Sequence, residues 1–180
     1  MMNGVGLFQE AITLVASGRG GNALLRGADM MRRAADFGHV AAANNYGAML
    51  HAGRGVRQDM VGARAYYNQA ASAGLPIGLF NMGFMCFHGL GGPKDHKRAR
   101  FLFLRAAQQD ETDAITYLGL MLMSGQGGPA VDPHAAGRIL HGGTSDGPQA
   151  QLVALLRKHL DAPMTQPHLR ALAEEAGPTT

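Results

Sequence analysis

AANNYGAMLHAGRGVRQDMVGARAYYNQAASAG, residues 42–74, decides the fold, because its pattern returns 36 residues later in residues 78–110. Both segments contain a glycine in their first half, then a Gly-x-Gly turn, an aspartate and an alanine doublet. The glycine and the turn recur once more after a further 36 residues. This shared register indicates an internal repeat. Its marks are Gly47, Gly83 and Gly119, and the turn glycines Gly53 and Gly55, Gly89 and Gly91, and Gly125 and Gly127.

Each unit is predicted to form a helix, a glycine turn and a second helix. In residues 41–52 the small and apolar residues fall at helical spacing, and Gly53 and Gly55 then end the helix where a positive φ is needed. The second helix opens at an aspartate, whose carboxylate can cap the free amides of the first turn and suits the helix dipole. These aspartates are Asp59, Asp95 and Asp132. We therefore predict an all-α array of helix–turn–helix repeats.

Small residues inside the helices indicate close helix–helix packing. A glycine within a helix costs about 1 kcal/mol relative to alanine, so its return at one phase argues for a packing requirement. The alanine doublets, where a larger side chain would push two helices apart, have the same interpretation. They are Ala34–Ala35, Ala70–Ala71 and Ala106–Ala107.

The pattern weakens toward both ends of the chain. The segment at residues 11–21 resembles the one at residues 48–56, with its glycines Gly18 and Gly20 at an offset of 35 from Gly53 and Gly55. After Gly127 the register slips by one, giving Asp132 and Ala136. Terminal units of repeat arrays are often atypical because they cap the shared core. We expect one domain over residues 1–180, with an N-terminal capping unit over 5–38, repeats over 39–74, 75–110 and 111–145, and C-terminal capping helices over 146–177.

The composition is that of a folded protein with a mild positive charge. Sixteen Lys and Arg exceed thirteen Asp and Glu, for a net charge of +3. Cys86 is the only cysteine, which excludes an intrachain disulfide and a multi-cysteine zinc site. The N-terminal residues lack a basic segment and an apolar run long enough for a signal peptide or a membrane span. We expect a cytoplasmic protein that does not enter a membrane.

Residues 42–74 resemble the Sel1-like repeat, a relative of the tetratricopeptide repeat. The family pattern is A-x-x-x-L-G-x-x-Y-x-x-G-x-G-V-x-x-D, followed by K-A and W-Y-x-K-A-A-x-x-G. The resemblance is clear over residues 27–141. The third unit departs from it with Cys86 at the tyrosine position, and the fourth with Gly143–Thr144 at the alanine doublet. The second unit keeps Ala42, Gly47, Gly53, Gly55, Val56, Asp59, Ala63, Tyr66, Tyr67, Ala70, Ala71 and Gly74.

This resemblance implies a right-handed α-solenoid of antiparallel helix pairs, with a concave face lined mainly by the first helices. It also implies a non-catalytic adaptor, which assembles complexes, binds peptides or partner domains, or neutralises effectors. Function inferred in this way is analogy with a family and names no partner. We expect another protein or a peptide as the partner, and no cofactor.

In this architecture each first helix places one stripe in the core and an adjacent stripe toward the groove. If Tyr46, Gly47 and Leu50 pack inward, the next stripe of that helix, including Ala48, faces the groove together with its equivalents in the two later units. The predicted partner-binding residues are Asn44, Asn45 and His51, then Phe80, Asn81, Phe84 and Phe87, and finally Thr116, Tyr117, Leu120 and Met123.

Two groups of these residues have a second interpretation. Phe80, Phe84 and Phe87 form one helical stripe, and aromatic stripes in helices usually belong to the core. However, the adjacent phase already carries the predicted core residues, so one of the two apolar stripes would face the groove as an interaction site. Asn45 and Asn81 either bind the backbone of an extended peptide, as asparagines of related repeats do, or serve as local caps and hydrated amides.

The basic run from Lys94 to Arg105 offers an alternative function, which is electrostatic binding of nucleic acid or of an acidic partner. Nucleic-acid binders gather basic residues on one face. Apolar residues interleave with the basic ones here, however, so an ordinary solvated outer face of a helix is the favoured interpretation of the run. The sequence favours a protein partner over nucleic acid.

Signatures of catalysis and metal binding are weak. The glycine clusters repeat with the period of the units and are not followed by G-K-[ST], so they are turns and not phosphate loops. No H-E-x-x-H is present. His51 and His88 could approach each other across the groove, but solvated or hydrogen-bonded histidines are the favoured interpretation. Cys86 has apolar neighbours, which raise a thiol pKa and make it inert. We expect no enzyme and no metal site.

Overall fold

The computed structural model describes residues 3–17 and 21–128, which form seven α-helices and no strand. Each helix packs against the next in sequence. The described residues thus form a right-handed α-solenoid of antiparallel helix pairs, and the predicted fold class is confirmed. Asp132 and the capping helices predicted over 146–177 lie outside the described residues. The helices are α1 (Gly4–Ser17), α2 (Gly21–Asp36), α3 (Val40–Ala52), α4 (Met60–Ser72), α5 (Pro76–His88), α6 (His96–Ala107) and α7 (Thr112–Ser124).

The first helices α1, α3, α5 and α7 begin 36 residues apart, as the repeat predicts. Helices α3, α5 and α7 each end at a glycine in the left-handed conformation, whose N–H donates to a methionine carbonyl four residues earlier. This bond satisfies one of the free carbonyls at the helix end. The capping glycines are Gly53, Gly89 and Gly125, and the acceptors are Met49, Met85 and Met121.

The second glycine of each turn lies against the preceding unit. Gly91 has a φ of +65°, and a Cβ added there would collide with the carbonyl oxygen of Met60, near the start of α4. Both the φ and the lack of space therefore require glycine at this position. The same contact occurs at each described turn of this type. The pairs are Gly55 with Leu24, Gly91 with Met60 and Gly127 with His96.

The predicted aspartate caps are confirmed at both described positions. The Asp59 carboxylate accepts a hydrogen bond from the Gly62 amide at 3.0 Å, and Asp95 accepts one from the Arg98 amide at 2.9 Å. Each carboxylate occupies the positive end of a helix dipole, where such a cap contributes about 1 kcal/mol. The second helices therefore begin where the sequence predicts.

Small residues in the core have the packing role that the repeat predicts. All six residues of the alanine doublets are buried. A Cβ added at Gly47 would lie 2.9 Å from the Tyr67 ring, and one added at Gly83 would lie 2.8 Å from the Phe103 ring. An aromatic side chain of the second helix thus packs directly on the backbone of the first helix.

Hydrogen bonds between units complete the array. Arg64 on α4 donates to the Leu90 and Pro93 carbonyl oxygens at 3.1 and 3.3 Å, which are both in the next turn. In the other direction, Gln69 donates to the Ala35 carbonyl at 2.8 Å, and the Tyr66 hydroxyl lies 3.1 Å from an Asp36 oxygen. Helix α4 is therefore tied both to the unit before it and to the turn after it.

The contact between turn and carbonyl can be tested with two glycines of matched conformation. Gly74 has a φ of +81° but open space around its missing Cβ, whereas Gly91 meets the Met60 carbonyl. Gly74→Ala should cost about 1–2 kcal/mol for the left-handed backbone, and Gly91→Ala should cost clearly more. Urea unfolding followed by circular dichroism measures both losses. Equal losses would show that the inter-unit contact contributes nothing.

Candidate partner-binding groove

Four first helices present equivalent positions to one side of the array, which we call the groove surface. The 36-residue spacing of helix starts places four residues of α1 in this set, and the sequence analysis did not include them. The offset of 35 at the N-terminal glycines concealed the offset of 36 between the helices. The groove surface comprises Phe8, Gln9, Ile12 and Val15 in α1, Asn44, Asn45, Ala48 and His51 in α3, Phe80, Asn81, Phe84 and Phe87 in α5, and Thr116, Tyr117, Leu120 and Met123 in α7.

An aromatic cluster joins α5 to α7. The rings of Phe80, Phe84 and Phe87 lie 5.7, 5.8 and 5.7 Å from the Tyr117 ring, at interplanar angles between 63° and 82°. Such edge-to-face pairs add about 0.5–1.5 kcal/mol each beyond burial. Tyr117 also lies 5.2 Å from Phe103, which is fully buried. The cluster therefore rests on the core and is itself half-buried, so the phenylalanine stripe belongs partly to the core and keeps part of its surface exposed.

Three histidines surround the cluster. The Phe84 ring lies 4.3 Å from His88 and 6.4 Å from His51, and Phe87 lies 5.2 Å from His96. His51 and His88 thus both approach Phe84, and the sequence had placed them near the groove. Within residues 3–17 and 21–128, no three His, Cys, Asp or Glu side chains are grouped as metal ligands.

The three asparagines form a chain of amide hydrogen bonds across two helices. Asn81 donates to the Asn44 oxygen at 2.9 Å, and Asn44 donates to the Asn45 oxygen at 3.4 Å. The sequence analysis placed Asn44 toward the groove, but only 7% of it is exposed. Asn81 of the next unit covers Asn44. The role of Asn44 is therefore to hold the side-chain amides of Asn45 and Asn81 in place. Asn45 and Asn81 are half-buried and remain the predicted partner contacts.

The remaining predicted residues come from α7. Leu120 is 51% exposed and follows Tyr117 by one helical turn on α7. Thr116 is exposed, and its hydroxyl donates to the Thr112 carbonyl of its own helix at 3.2 Å. Met123 belongs to α7, but its side chain lies outside the described residues.

The basic run does not present all of its members to solvent. Arg100 is 7% exposed, and burial lowers its pKa. Arg98 donates to the Asn68 side-chain oxygen at 2.7 Å, and Arg105 lies over the Phe101 ring at 5.8 Å. The reason is the repeat itself, since Arg100 occupies the position of Arg64, whose guanidinium reaches the next turn. Composition alone could not distinguish Arg100, which has a structural role, from the other basic residues of the run.

Cys86 has the inert setting that its apolar neighbours predict. It is fully buried, and burial raises the pKa of its thiol. The Arg64 guanidinium, 3.6 Å from the sulfur, acts in the opposite direction but does not outweigh burial. The thiol packs between units and is not available to a substrate.

Stacked pairs of helices, each packed on the next in sequence, define the chain as an α-solenoid repeat protein. The model of the Sel1 repeat matches residues 40–75, 76–111 and 112–140, which is more than half of the chain. The chain therefore belongs to the Sel1 repeat family. Sel1 repeat proteins generally mediate protein–protein interactions as non-catalytic scaffolds. No curated protein matches the sequence.

Solved structures of the same family are similar to this one. A Sel1 repeat protein from Oxalobacter formigenes has 27% identity and a TM-score of 0.68, over 74% of this chain and 55% of the other. A protective antigen present in uropathogenic Escherichia coli strains, which displays an SLR fold, has 25% identity and the same TM-score, over 74% of this chain and 28% of the other. The chain thus covers about half or less of these relatives. None of the described helices is long and apolar enough to cross a membrane.

The buried tyrosine beside the groove should make stability fall at alkaline pH. Burial raises the pKa of Tyr67 to about 12, whereas an unfolded tyrosine ionises near pH 10. Between these values the unfolded state holds fewer protons, so the free energy of unfolding falls as pH rises. Tyr67→Phe should therefore lose less stability than the wild type between pH 8 and pH 11. Urea unfolding at both pH values measures this, and parallel losses would contradict the assignment.

The divided basic run should bind nucleic acid poorly. Nonspecific binding is strongest at low salt, because it depends on the release of counterions by several basic residues together. We expect no gel shift of a short DNA duplex or RNA hairpin at low salt. A shift that Lys94→Ala with Lys97→Ala abolishes would restore the electrostatic alternative.

Proposed function

We propose that this protein is a non-catalytic adaptor that holds a peptide or a segment of a partner protein against its groove surface. The observation that carries the proposal is the half-exposed aromatic cluster of α5 and α7, beside the exposed Leu120. An apolar patch of this kind on a solvent-exposed surface is typical of an interaction site.

Burial of this patch would supply the free energy of binding. Removing apolar surface from water contributes roughly 25 cal/mol per Å², and a large apolar side chain about 1.5–3 kcal/mol when fully covered. The groove is carried by helices whose side chains already pack on the core, as Tyr117 does on Phe103. A partner would therefore not have to order the surface first, which reduces the entropic cost of association.

The amide chain supports the same function through polar contacts. With Asn44 bonded to both neighbours, the Asn45 Nδ2 and the Asn81 Oδ1 have no partner among the described residues. One is a donor and the other an acceptor, which together match the two polar groups of a peptide backbone. Asn45 and Asn81 would thus orient a chain whose affinity comes from the aromatic cluster.

This function includes the roles that the family resemblance implies. An adaptor that covers part of a partner's surface can assemble a complex, and it can equally neutralise an effector by blocking it. Catalysis is not part of the proposal, because the groove surface consists mainly of apolar, amide and hydroxyl side chains.

Capture from the native host lysate tests the proposal with a groove variant and a matched control. Phe84→Ala with Leu120→Ala removes apolar area from the groove, whereas Leu25→Ala with Val61→Ala removes exposed apolar side chains from α2 and α4. We expect a partner that binds the wild type and the control variant but not the groove variant.

Phe84 also stabilises the aromatic cluster, so folding must be checked by circular dichroism and thermal melting. Leu120→Asp alone provides a second groove variant, because a half-exposed side chain tolerates a charge without unfolding the helix. If both groove variants capture the partner as well as the wild type does, the binding site lies elsewhere and the proposal is contradicted.

A further inference from the structure

A row of equivalent apolar residues crosses all four first helices of the groove surface. Its members are Ile12, Ala48, Phe84 and Leu120, each 36 residues from the next. Ile12 and Leu120 are 38% and 51% exposed, Ala48 is exposed, and Phe84 is half-buried. Three large side chains and one methyl group thus lie at the same height on parallel helices. The row has a gap at Ala48.

Ala48 has an equivalent residue on each neighbouring first helix. Helix α3 lies between α1 and α5: Phe8 of α1 stacks on His39, the residue before α3, with ring centroids 4.2 Å apart, and His51 of α3 lies 6.4 Å from Phe84 of α5. The 36-residue register therefore places Ile12 on one side of Ala48 and Phe84 on the other. Because Ala48 is exposed and carries only a methyl group, the row is lowest at this position.

Charge restricts what can lie in the groove. None of the sixteen residues of the groove surface is Asp, Glu, Lys or Arg. A charged partner side chain would lose hydration here and find no opposite charge, which costs several kcal/mol for a buried ion. The contacting side chains of the partner must therefore be uncharged.

From these observations we infer that the groove takes an uncharged peptide segment of a partner protein, which inserts one large apolar side chain over Ala48 between Ile12 and Phe84. The inference rests on the proposed adaptor function and specifies its ligand. The inserted residue fills the one gap in the row, and it is the anchor of the complex. Asn45, one turn before Ala48, is placed to bond the peptide backbone beside that anchor.

Selection of binders from a displayed library of random peptides supplies the probe. The enriched peptides are synthesised, and their affinities for the intact protein are measured by fluorescence anisotropy. We expect uncharged sequences that share one Phe, Leu, Met or Trp, and we expect replacement of this residue by alanine to weaken binding at least about tenfold. Enrichment of acidic or basic sequences, or of none, would overturn the inference.

Filling the gap tests the position of the anchor. Ala48→Phe occupies the space from the protein side and should weaken the selected peptides at least about tenfold. Ala65→Phe makes the same change at an exposed position of α4 and should leave affinity unchanged. Because Ala48 is exposed, the larger ring need not enter the core, and circular dichroism verifies the helix content of both variants.

These outcomes separate the inference from the proposed function. Peptides that bind Ala48→Phe normally but fail on Phe84→Ala with Leu120→Ala would overturn the anchor site and leave the groove as the binding face. Peptides that bind all variants equally would overturn both. Affinity should also change less than about twofold between low and high salt, since exposed ion pairs are screened and apolar contacts are not. A steep loss at high salt would indicate charged contacts and contradict the inference.

Discussion

The close contact between a turn glycine and a carbonyl of the preceding unit fixes the spacing on which the whole array depends. At Gly91 the backbone approaches Met60 so closely that no side chain fits, and its φ of +65° is the left-handed conformation that glycine adopts freely. The equivalent contact at each described turn repeats the same translation. The period of 36 residues in the sequence is therefore the period of a physical contact.

This spacing creates the groove. Because the first helices start at equal intervals, residues one period apart fall in line across them, as Phe84 and Leu120 do. The glycines inside α3 and α5 then each admit an aromatic ring from the following helix, and Tyr117 packs on one of these rings, Phe103. This packing leaves the phenylalanine stripe of α5 half-buried. Binding of a partner would cover the surface of the stripe that is still exposed.

Features set by local chemistry could be predicted from the sequence. The capping glycine Gly53 and the carboxylate cap at Asp59 each depend on residues within one unit and were placed correctly. Features set by the neighbouring unit could not be predicted. Asn44 is buried by Asn81, and Arg100 is buried at the start of the next turn, although both residue types usually lie at the surface. Their partners lie about one period away in the chain.

Site-specific photo-crosslinking in the native host tests most directly whether the groove surface is the binding face. A photoreactive phenylalanine analogue replaces Leu120 in one variant and Val61, an exposed residue of α4, in the other. Both side chains are exposed and apolar, so the two variants differ mainly in their position on the array. The account predicts a discrete crosslinked partner from position 120 and none from position 61. A partner crosslinked from position 61 and not from position 120 would contradict it.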